Sequence, residues 1–307
     1  MRYVIIAIIA FAGCVEISQK PHATNERSFT FTLTSKTTIK KEISGKEFKL
    51  WIPLIQSTKF QEVSELKVVT SAKYRITTDP LYGNRMLFLD SPTEVLWSAR
   101  IRRYETGEWE ETLSPELLDR IMKEDRFGPI NDKVLAMADL ISAENPDYVR
   151  GIYDYIFKNW KYDKETPGWG RGDVLRAIQV CKGNCSDFHA PFNALCRAKG
   201  IPSMFYYGVS IPLGKESGTA AKHCWVSALL NGKFLPVDIS EAWKNPHMHD
   251  YYFGRLDERR AEISRGRDIV LEPPQSGEPL NFFIDAYAEV DGKPFDGVET
   301  TYTFSTN

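Results

Sequence analysis

Alternating apolar and polar positions dominate the first third of the chain. In "FTFTLT" the apolar residues Phe29, Phe31 and Leu33 are separated by threonines, which is the period-two pattern of a half-buried strand. Similar runs between turn residues follow in "EFKLWIP", "LKVVTSAKYRIT", "NRMLFLD" and "EVLWSARIRRY". Short, regularly spaced strands of this kind predict an N-terminal β-sandwich domain, which we assign to residues 28–110.

The periodicity changes to that of helices at Ser114. This residue stands at a helix cap position, Pro115 follows at the first helical position, and "INDKVLAMADLIS" and "PDYVRGIYDYIFKNW" continue with helical spacing. Strand-like runs return in "IPSMFYYGVSIP" and "KHCWVSALLNGKFLPVDIS". Helices followed by strands predict an α+β domain rather than a wound parallel sheet, and we assign it to residues 111–268. Residues 269–307 are expected to form a C-terminal β segment that packs on the preceding domains.

Cys185 stands at the beginning of a predicted helix in "GNCSDFHAPFNALCRAKGIP". Phe188 and Phe192 belong to the apolar stripe of this helix, and Gly200 ends it. The free N–H groups and the dipole of a helix start favour a thiolate, and they can lower a thiol pKa from about 8.5 to roughly 3.5 to 7.5. Pro191 is expected to kink the helix after its first turns. The position therefore suits a nucleophilic cysteine.

A histidine and an aspartate follow on the two strands of a predicted hairpin. The strands "HCWVSALL" and "KFLPVDI" flank Asn231-Gly232, which is typical of a two-residue hairpin turn. This turn places Asp238 opposite a residue two positions along from His223, so that both side chains lie on one face of the sheet. A thiolate nucleophile needs a base, and the base needs an orienting acceptor. His223 and Asp238 are the candidates.

The segments "GNCSDF", "RAKGIPSMFYYG", "HCWV" and "PVDISEA", in this order, resemble the motifs of the transglutaminase-like superfamily, relatives of the papain-type cysteine peptidases. The resemblance covers about residues 145–265. It implies a papain-like core of helices followed by an antiparallel sheet. It also implies that Cys185 is the nucleophile, His223 the general base and acid, and Asp238 the residue that orients His223.

The oxyanion hole is only partly indicated by the sequence. The backbone N–H of Cys185, at the helix start, is the first expected donor. Animal transglutaminases use the indole N–H of an upstream tryptophan, and this chain has Trp160 and Trp169 upstream. We assign Trp169 as the oxyanion candidate, with an aromatic residue that only packs beneath the helix as the alternative.

Other roles for the cysteines were weighed against catalysis. Cys181, Cys185, His223 and Cys224 could bind zinc, but adjacent strand residues such as His223 and Cys224 point to opposite faces. A Cys181–Cys185 disulfide would block the nucleophile. Cys196 and Cys224 are interpreted as small buried apolar residues. We therefore expect neither a metal nor a cofactor.

His189 and the charged run after residue 254 are two further features near the core. His189, four residues after Cys185 on the same helical face, is either a packed histidine or a residue at the mouth of the active site. The run "RLDERRAE" indicates a solvated helix face.

The N-terminal stretch "MRYVIIAIIAFAGC" indicates export. Its apolar run from Val4 to Phe11 is shorter than the roughly 20 residues of a membrane span, and it has the form of a signal peptide. Small residues before Cys14 resemble the lipobox of bacterial lipoproteins. We predict a lipoprotein signal peptide and tether over residues 1–27, with lipidation at Cys14 and ordinary secretion as the alternative. The protein is then expected in the periplasm-facing cell envelope, attached to the membrane by its lipid.

Charge and motif together define the expected function. The net charge of -2 and the pI of about 6.3 leave no basic field for nucleic acid, so we expect no nucleic-acid partner. The resemblance implies an exported thiol hydrolase or acyltransferase that acts on amide bonds of a peptide or protein through a thioester. We favour a peptidase or amidase. A protein-glutamine cross-linking transglutaminase and a non-catalytic envelope binding or scaffold module are the alternatives.

Overall fold

The structure is a computed structural model that describes residues 27–43, 45 and 47–306. The predicted signal peptide, with its lipidation site Cys14, lies outside the described residues. Within them, no helix is both long and apolar enough to cross a membrane.

The strands and helices of the described residues are numbered in chain order. The strands are β1 Ser28–Ile39, β2 Phe48–Pro53, β3 Gln61–Val69, β4 Arg75–Thr78, β5 Arg85–Leu89, β6 Val95–Tyr104, β7 Lys161–Tyr162, β8 Lys182–Gly183, β9 Ser203–Ser210, β10 Ser217–Thr219, β11 Ala221–Leu230, β12 Lys233–Val237, β13 Arg260–Arg265, β14 Tyr287–Val290, β15 Lys293–Pro294 and β16 Val298–Ser305. The helices are α1 Pro115–Met122, α2 Asp132–Glu144, α3 Tyr148–Asn159, α4 Val174–Val180, α5 Cys185–Ala198 and α6 Ile239–Lys244, with a 3₁₀ turn at Pro246–Met248.

Strands from both ends of the chain form two antiparallel five-stranded sheets. One sheet has the order β10-β16-β1-β6-β3, and the other has the order β15-β14-β2-β5-β4. In the first sheet, Leu33 of β1 lies between Ala99 of β6 and Phe304 of β16. The period-two pattern of β1 is reproduced by its burial, because Phe31 and Leu33 are buried while the threonines between them are partly exposed. The C-terminal strands thus pair within the same sheets as residues 28–104.

Trp97 joins the two sheets. Its side chain is fully buried, and its indole N–H donates a hydrogen bond of 3.0 Å to the Pro53 carbonyl of β2. The ring also packs edge-on against Tyr302 of β16, with 6.1 Å between the ring centroids. One large side chain therefore fills the core and satisfies a backbone acceptor on the opposite sheet.

The second half of the chain is a group of helices packed on a four-stranded antiparallel sheet. This core sheet has the order β12-β11-β9-β13, and α5 packs across β11 and β9. The expected α+β class and the order of helices before strands are confirmed. α5 runs through Pro191 to Ala198, so the proline does not end the helix. The solvated helix predicted for "RLDERRAE" is wrong, because Arg260 is buried and begins β13.

Replacing Trp97 with alanine is expected to lower the free energy of unfolding by about 3–5 kcal/mol, because the change leaves a cavity and an unpaired carbonyl between the sheets. Leu213→Ala is the matched control. Leu213 is 84% exposed, and its loss is expected to change the stability by less than about 0.5 kcal/mol. Denaturant titration followed by circular dichroism measures both values. Equal effects of the two substitutions would contradict the role assigned to Trp97.

Candidate active site

The start of α5 is held by a reciprocal cap around Cys185. The Asn184 side chain accepts a hydrogen bond of 3.0 Å from the Ser186 N–H, and the Asp187 carboxylate accepts one of 3.0 Å from the Asn184 N–H. This capping box satisfies N–H groups at the helix start and orders its first turn. Cys185 is the first helical residue and is 2% exposed.

Asp187 also anchors the loop that precedes α4. Its carboxylate accepts hydrogen bonds from the N–H of Gly170 at 2.7 Å and from the N–H of Gly172 at 3.2 Å. Gly183 must lack a side chain, since its φ is 154° and a Cβ there would lie 2.1 Å from Asp187 Oδ2. The geometry of the helix start therefore explains Gly183, beside the Asn184 cap.

The hairpin β11–β12 brings His223 and Asp238 together. Its register pairs Leu230 with Lys233 and Val226 with Val237, which confirms the predicted two-residue turn and the shared face of the two side chains. His223 Nε2 lies 2.7 Å from Asp238 Oδ2. Since Nε2 is engaged by the carboxylate, the other ring nitrogen is left for the Cys185 sulfur, to which His223 also hydrogen-bonds.

Asp238 is a buried carboxylate with a full set of donors. It caps α6, where its Oδ1 accepts hydrogen bonds from the Glu241 N–H at 3.0 Å and from the Ser240 hydroxyl at 3.1 Å. Arg260 of β13 donates to Oδ2 at 2.9 Å, alongside His223. Burial alone would raise the pKa of Asp238, but the charges of His223 and Arg260 hold it well below the usual value. The carboxylate of Asp238 is therefore ionised in the folded protein at neutral pH.

Cys185 and His223 shift each other's pKa in opposite directions. The pKa of Cys185 is held well below its ordinary value, first by a hydrogen bond from the Cys224 thiol and then, against the effect of burial, by His223. Burial would lower the pKa of His223, but Asp238 and Cys185 raise it to about 10. Both shifts favour a thiolate beside an imidazolium.

Cys224 and His189 extend this arrangement beyond the three predicted residues. His189 is fully buried one turn after Cys185 on α5, and burial lowers its pKa to about 4. Its Nε2 accepts a hydrogen bond of 3.0 Å from the Ile239 N–H, so the neutral ring carries its proton on Nδ1. Nδ1 lies 3.5 Å from Cys224 Sγ. The Cys224 thiol, held on this side, points its own hydrogen toward Cys185.

The other cysteines do not take part in this arrangement. All four described cysteines are free thiols, and Cys181 donates to the Ile178 carbonyl at 3.4 Å. Burial raises the pKa of Cys196, which is an ordinary core residue. Within the described ranges, no group of three or more His, Cys, Asp or Glu side chains is arranged to hold a metal ion.

Aromatic residues upstream of Cys185 lie at different depths. Trp169 is 38% exposed, in the loop that Asp187 anchors, and its ring lies 5.9 Å from the Lys164 ammonium. Trp160 is buried at the end of α3. Burial and then the charge of Cys185 raise the pKa of Tyr162 to about 12. The role of Trp169 as an oxyanion donor stays a prediction.

Two residues of the site were missed by the sequence interpretation. Cys224 is buried as expected, and its thiol also lowers the pKa of Cys185 through a hydrogen bond. Arg260 was placed on a solvated helix, whereas it neutralises Asp238 from a strand. The position of Cys224, directly after His223, is the only sequence signal that could have drawn attention to it.

Comparisons with known proteins agree with this architecture. Residues 136–239 match the family model of the "Transglutaminase-like superfamily". An uncharacterized protein of Haemophilus influenzae is 23% identical, with 98% of each chain covered. Among solved structures, a "Putative Cysteine Protease" from Cytophaga hutchinsonii is 13% identical with a TM-score of 0.62, and the match covers 92% of this chain and 98% of that chain.

A more distant likeness is to the periplasmic domain of TgpA from Pseudomonas aeruginosa. It is 14% identical with a TM-score of 0.41, and it covers 71% of this chain and 90% of that domain.

The segment matched by the family model contains Cys185, His223 and Asp238, and the Cytophaga structure shares the fold over most of the chain. The chain therefore contains a transglutaminase-like core domain.

Proposed function

We propose that this protein is a thiol hydrolase that cleaves amide bonds in peptides or proteins, with Cys185, His223 and Asp238 as its catalytic triad. The observation that carries the proposal is the burial of Cys185 at the start of α5 together with His223, whose Nε2 lies 2.7 Å from Asp238 Oδ2, with pKa shifts of Cys185 and His223 that favour a thiolate beside an imidazolium. An ion pair of this kind supplies both a nucleophile and a proton donor.

The reaction begins with attack by the Cys185 thiolate on the amide carbonyl carbon. The carbonyl oxygen becomes an oxyanion, for which the Cys185 backbone N–H at the helix start is the first donor. When the intermediate collapses, the C–N bond breaks and the leaving nitrogen takes the proton of the His223 imidazolium. A thioester at Cys185 and a neutral His223 remain.

The second half of the reaction resolves the thioester. Neutral His223 removes a proton from water, the hydroxide oxygen bonds to the thioester carbon, and collapse releases the carboxylic acid and the Cys185 thiolate. Asp238 stays ionised throughout and stabilises the imidazolium each time it forms. An amine in place of water would give cross-linking. We favour hydrolysis because the Cytophaga protein with the same fold is described as a "Putative Cysteine Protease".

Peptide-library profiling with products identified by mass is the test of this function. Wild-type protein is expected to release two fragments whose masses together exceed that of the substrate by one water, and Cys185→Ala is expected to release none. Cys181→Ala, which removes a half-buried thiol outside the triad, is the control and is expected to retain full activity. The value of kcat/KM should fall as the pH rises through about 10, because His223 then loses the proton that the leaving nitrogen needs.

If amine adducts of the peptides are detected and hydrolysis products are not, the reaction is acyl transfer to amines and not hydrolysis. Equal inactivity of wild type and Cys185→Ala towards every peptide and amine would favour a non-catalytic binding module.

The Cys224 thiol is expected to tune the nucleophile. In Cys224→Ala, the acid limb of the pH profile for iodoacetamide labelling of Cys185 should move to higher pH, because the hydrogen bond to the thiolate is lost. Cys224→Ser supplies a hydroxyl donor and should restore most of the wild-type profile. In His223→Ala, labelling at pH of about 6 should fall to the rate of an ordinary thiol.

Cys196→Ala is the matched control for Cys224→Ala, because it removes another buried thiol and should leave the profile unchanged. Superposable profiles for wild type and Cys224→Ala would show that Cys224 only packs.

We also propose that the protein is exported and held at the membrane of the cell envelope by a lipid on Cys14. This proposal is supported by the sequence motif before Cys14. Cys14→Ser is expected to move the protein from the membrane fraction to the soluble fraction of disrupted cells, and metabolic labelling with a fatty acid should lose its signal. Continued sedimentation of Cys14→Ser with membranes would overturn the lipid anchor.

A further inference from the structure

A cavity of about 670 Å³ lies on the side of the core sheet away from α5. Its walls come from three parts of the chain: the 56–60 loop, the 103–112 segment that follows β6, and the strands β9, β11 and β13. The volume lies within the range of about 300–1,000 Å³ that is typical of small-molecule sites, which often occur where two parts of a fold meet. The triad does not line this cavity.

Arg103 is a buried cation in the wall of this cavity. The residue is 2% exposed, and its Nη2 donates to the Thr106 hydroxyl at 2.8 Å. Across the described part of the chain, no group accepts a hydrogen bond from Nε or Nη1 of Arg103. Burial lowers the pKa of Arg103 to about 10, which reflects a charge without a close counter-ion. Buried arginines are ordinarily paired, because an isolated buried charge is costly.

The other buried arginines of the chain contrast with Arg103. Arg260 lies 2.9 Å from Asp238, Arg197 lies 2.8 Å from Asp125, and Arg267 lies 3.2 Å from Asp125. Arg265, which also lines the cavity, is paired with Glu111 at 2.7 Å. Lys59 also lines the cavity, where its ammonium donates to the Glu110 carbonyl at 3.1 Å, so Arg103 is the buried cation of the wall that no carboxylate of the described residues pairs within 4.0 Å.

The nearest acidic group does not neutralise Arg103. Glu262 also lines the cavity and attracts Arg103 electrostatically, but the two side chains form no ion pair within 4.0 Å. Burial raises the pKa of Glu262, which favours its uncharged form. Glu262 thus attracts Arg103 without contacting it, and the guanidinium Nε and Nη1 remain open to an anionic ligand.

Aromatic rings provide one part of the wall, beside polar residues of the 56–60 loop and the 103–112 segment. Trp109 lies 5.7 Å from the Phe60 ring and 6.3 Å from the Tyr206 ring, and the Trp225 ring is stacked on Tyr206 at 6.3 Å, all between centroids. These four side chains line the cavity. These rings, together with the unpaired guanidinium of Arg103, fit a molecule with a flat apolar body and one carboxylate.

We propose that this cavity binds a small aromatic carboxylate, with the carboxylate on Arg103 Nε and Nη1 and the ring among Trp109, Tyr206 and Trp225. The site is separate from the proposed triad. Trp225 is nevertheless its neighbour, because its ring centroid lies 6.1 Å from that of His223. The proposal concerns binding and does not depend on the chemistry at Cys185.

Benzoate is the probe, and the full-length protein is titrated while the indole N–H resonances of Trp109 and Trp225 are followed by NMR. Trp109→Phe and Trp225→Phe assign the two resonances. Saturable shifts are expected at millimolar benzoate. Benzamide has the same shape without the charge and should bind at least about tenfold more weakly, because a charge-assisted pair with Arg103 is replaced by neutral hydrogen bonds.

Three variants locate the carboxylate. Arg103→Met should remove the preference for benzoate over benzamide, while Arg103→Lys should keep part of it because the charge remains. Arg100→Gln is the matched control, since Arg100 is exposed on the same strand and its loss should change nothing. Glu262→Gln should bind benzoate at least as tightly as the wild type, because no competing carboxylate remains near Arg103.

Equal binding of benzoate and benzamide by the wild type would overturn the proposal. So would benzoate binding that is unchanged in Arg103→Met, or shifts confined to residues outside the cavity. If Arg103→Met does not fold, Arg103→Lys and Glu262→Gln decide the question through the same benzoate-to-benzamide ratio. An unchanged ratio in Arg103→Lys together with weaker benzoate binding by Glu262→Gln would also overturn it.

Discussion

The buried charge of Asp238 is the interaction on which the arrangement of the core depends. A carboxylate removed from water is stable only if donors and cations surround it, and Asp238 has His223 from β11, Arg260 from β13 and the N–H of Glu241 in α6. Each donor comes from a different element of the chain. The requirement to neutralise one charge therefore brings two strands and a helix to the same point, beside the start of α5.

A second set of hydrogen bonds reaches Cys185 from the opposite direction. The Ile239 N–H, one residue after Asp238, fixes the neutral tautomer of His189, and His189 in turn holds the Cys224 thiol. Cys224 then donates to the Cys185 sulfur, which also faces the His223 imidazolium. The thiolate is thus stabilised by one charged and one neutral donor, and both are oriented by residues around the same turn at the end of β12.

Buried charges differ between the site and the cavity. The ionised groups of the site have partners within hydrogen-bond distance, as the 2.7 Å between His223 Nε2 and Asp238 Oδ2 shows. Arg103 lines the cavity with only Thr106 as a side-chain hydrogen-bond partner among the described residues. The same fold pairs the buried charge of Asp238 with several donors. The absence of a carboxylate partner for Arg103 among the described residues is therefore a specific property of the cavity.

Local sequence patterns determined several elements of the fold and part of the site. Alternation in β1, the cap before α5 and the Asn231-Gly232 turn are set by neighbouring residues, and the turn alone was enough to place His223 and Asp238 on one face. Non-local pairing was decided only by the tertiary structure. The hydroxyl groups of Thr37 and Thr300, which are 263 residues apart in the sequence, lie within hydrogen-bond distance. Arg260 stands in a charged stretch that is typical of a protein surface, but in the fold it pairs with Asp238. Periodicity records which face of an element is buried, but not which distant group it is buried against.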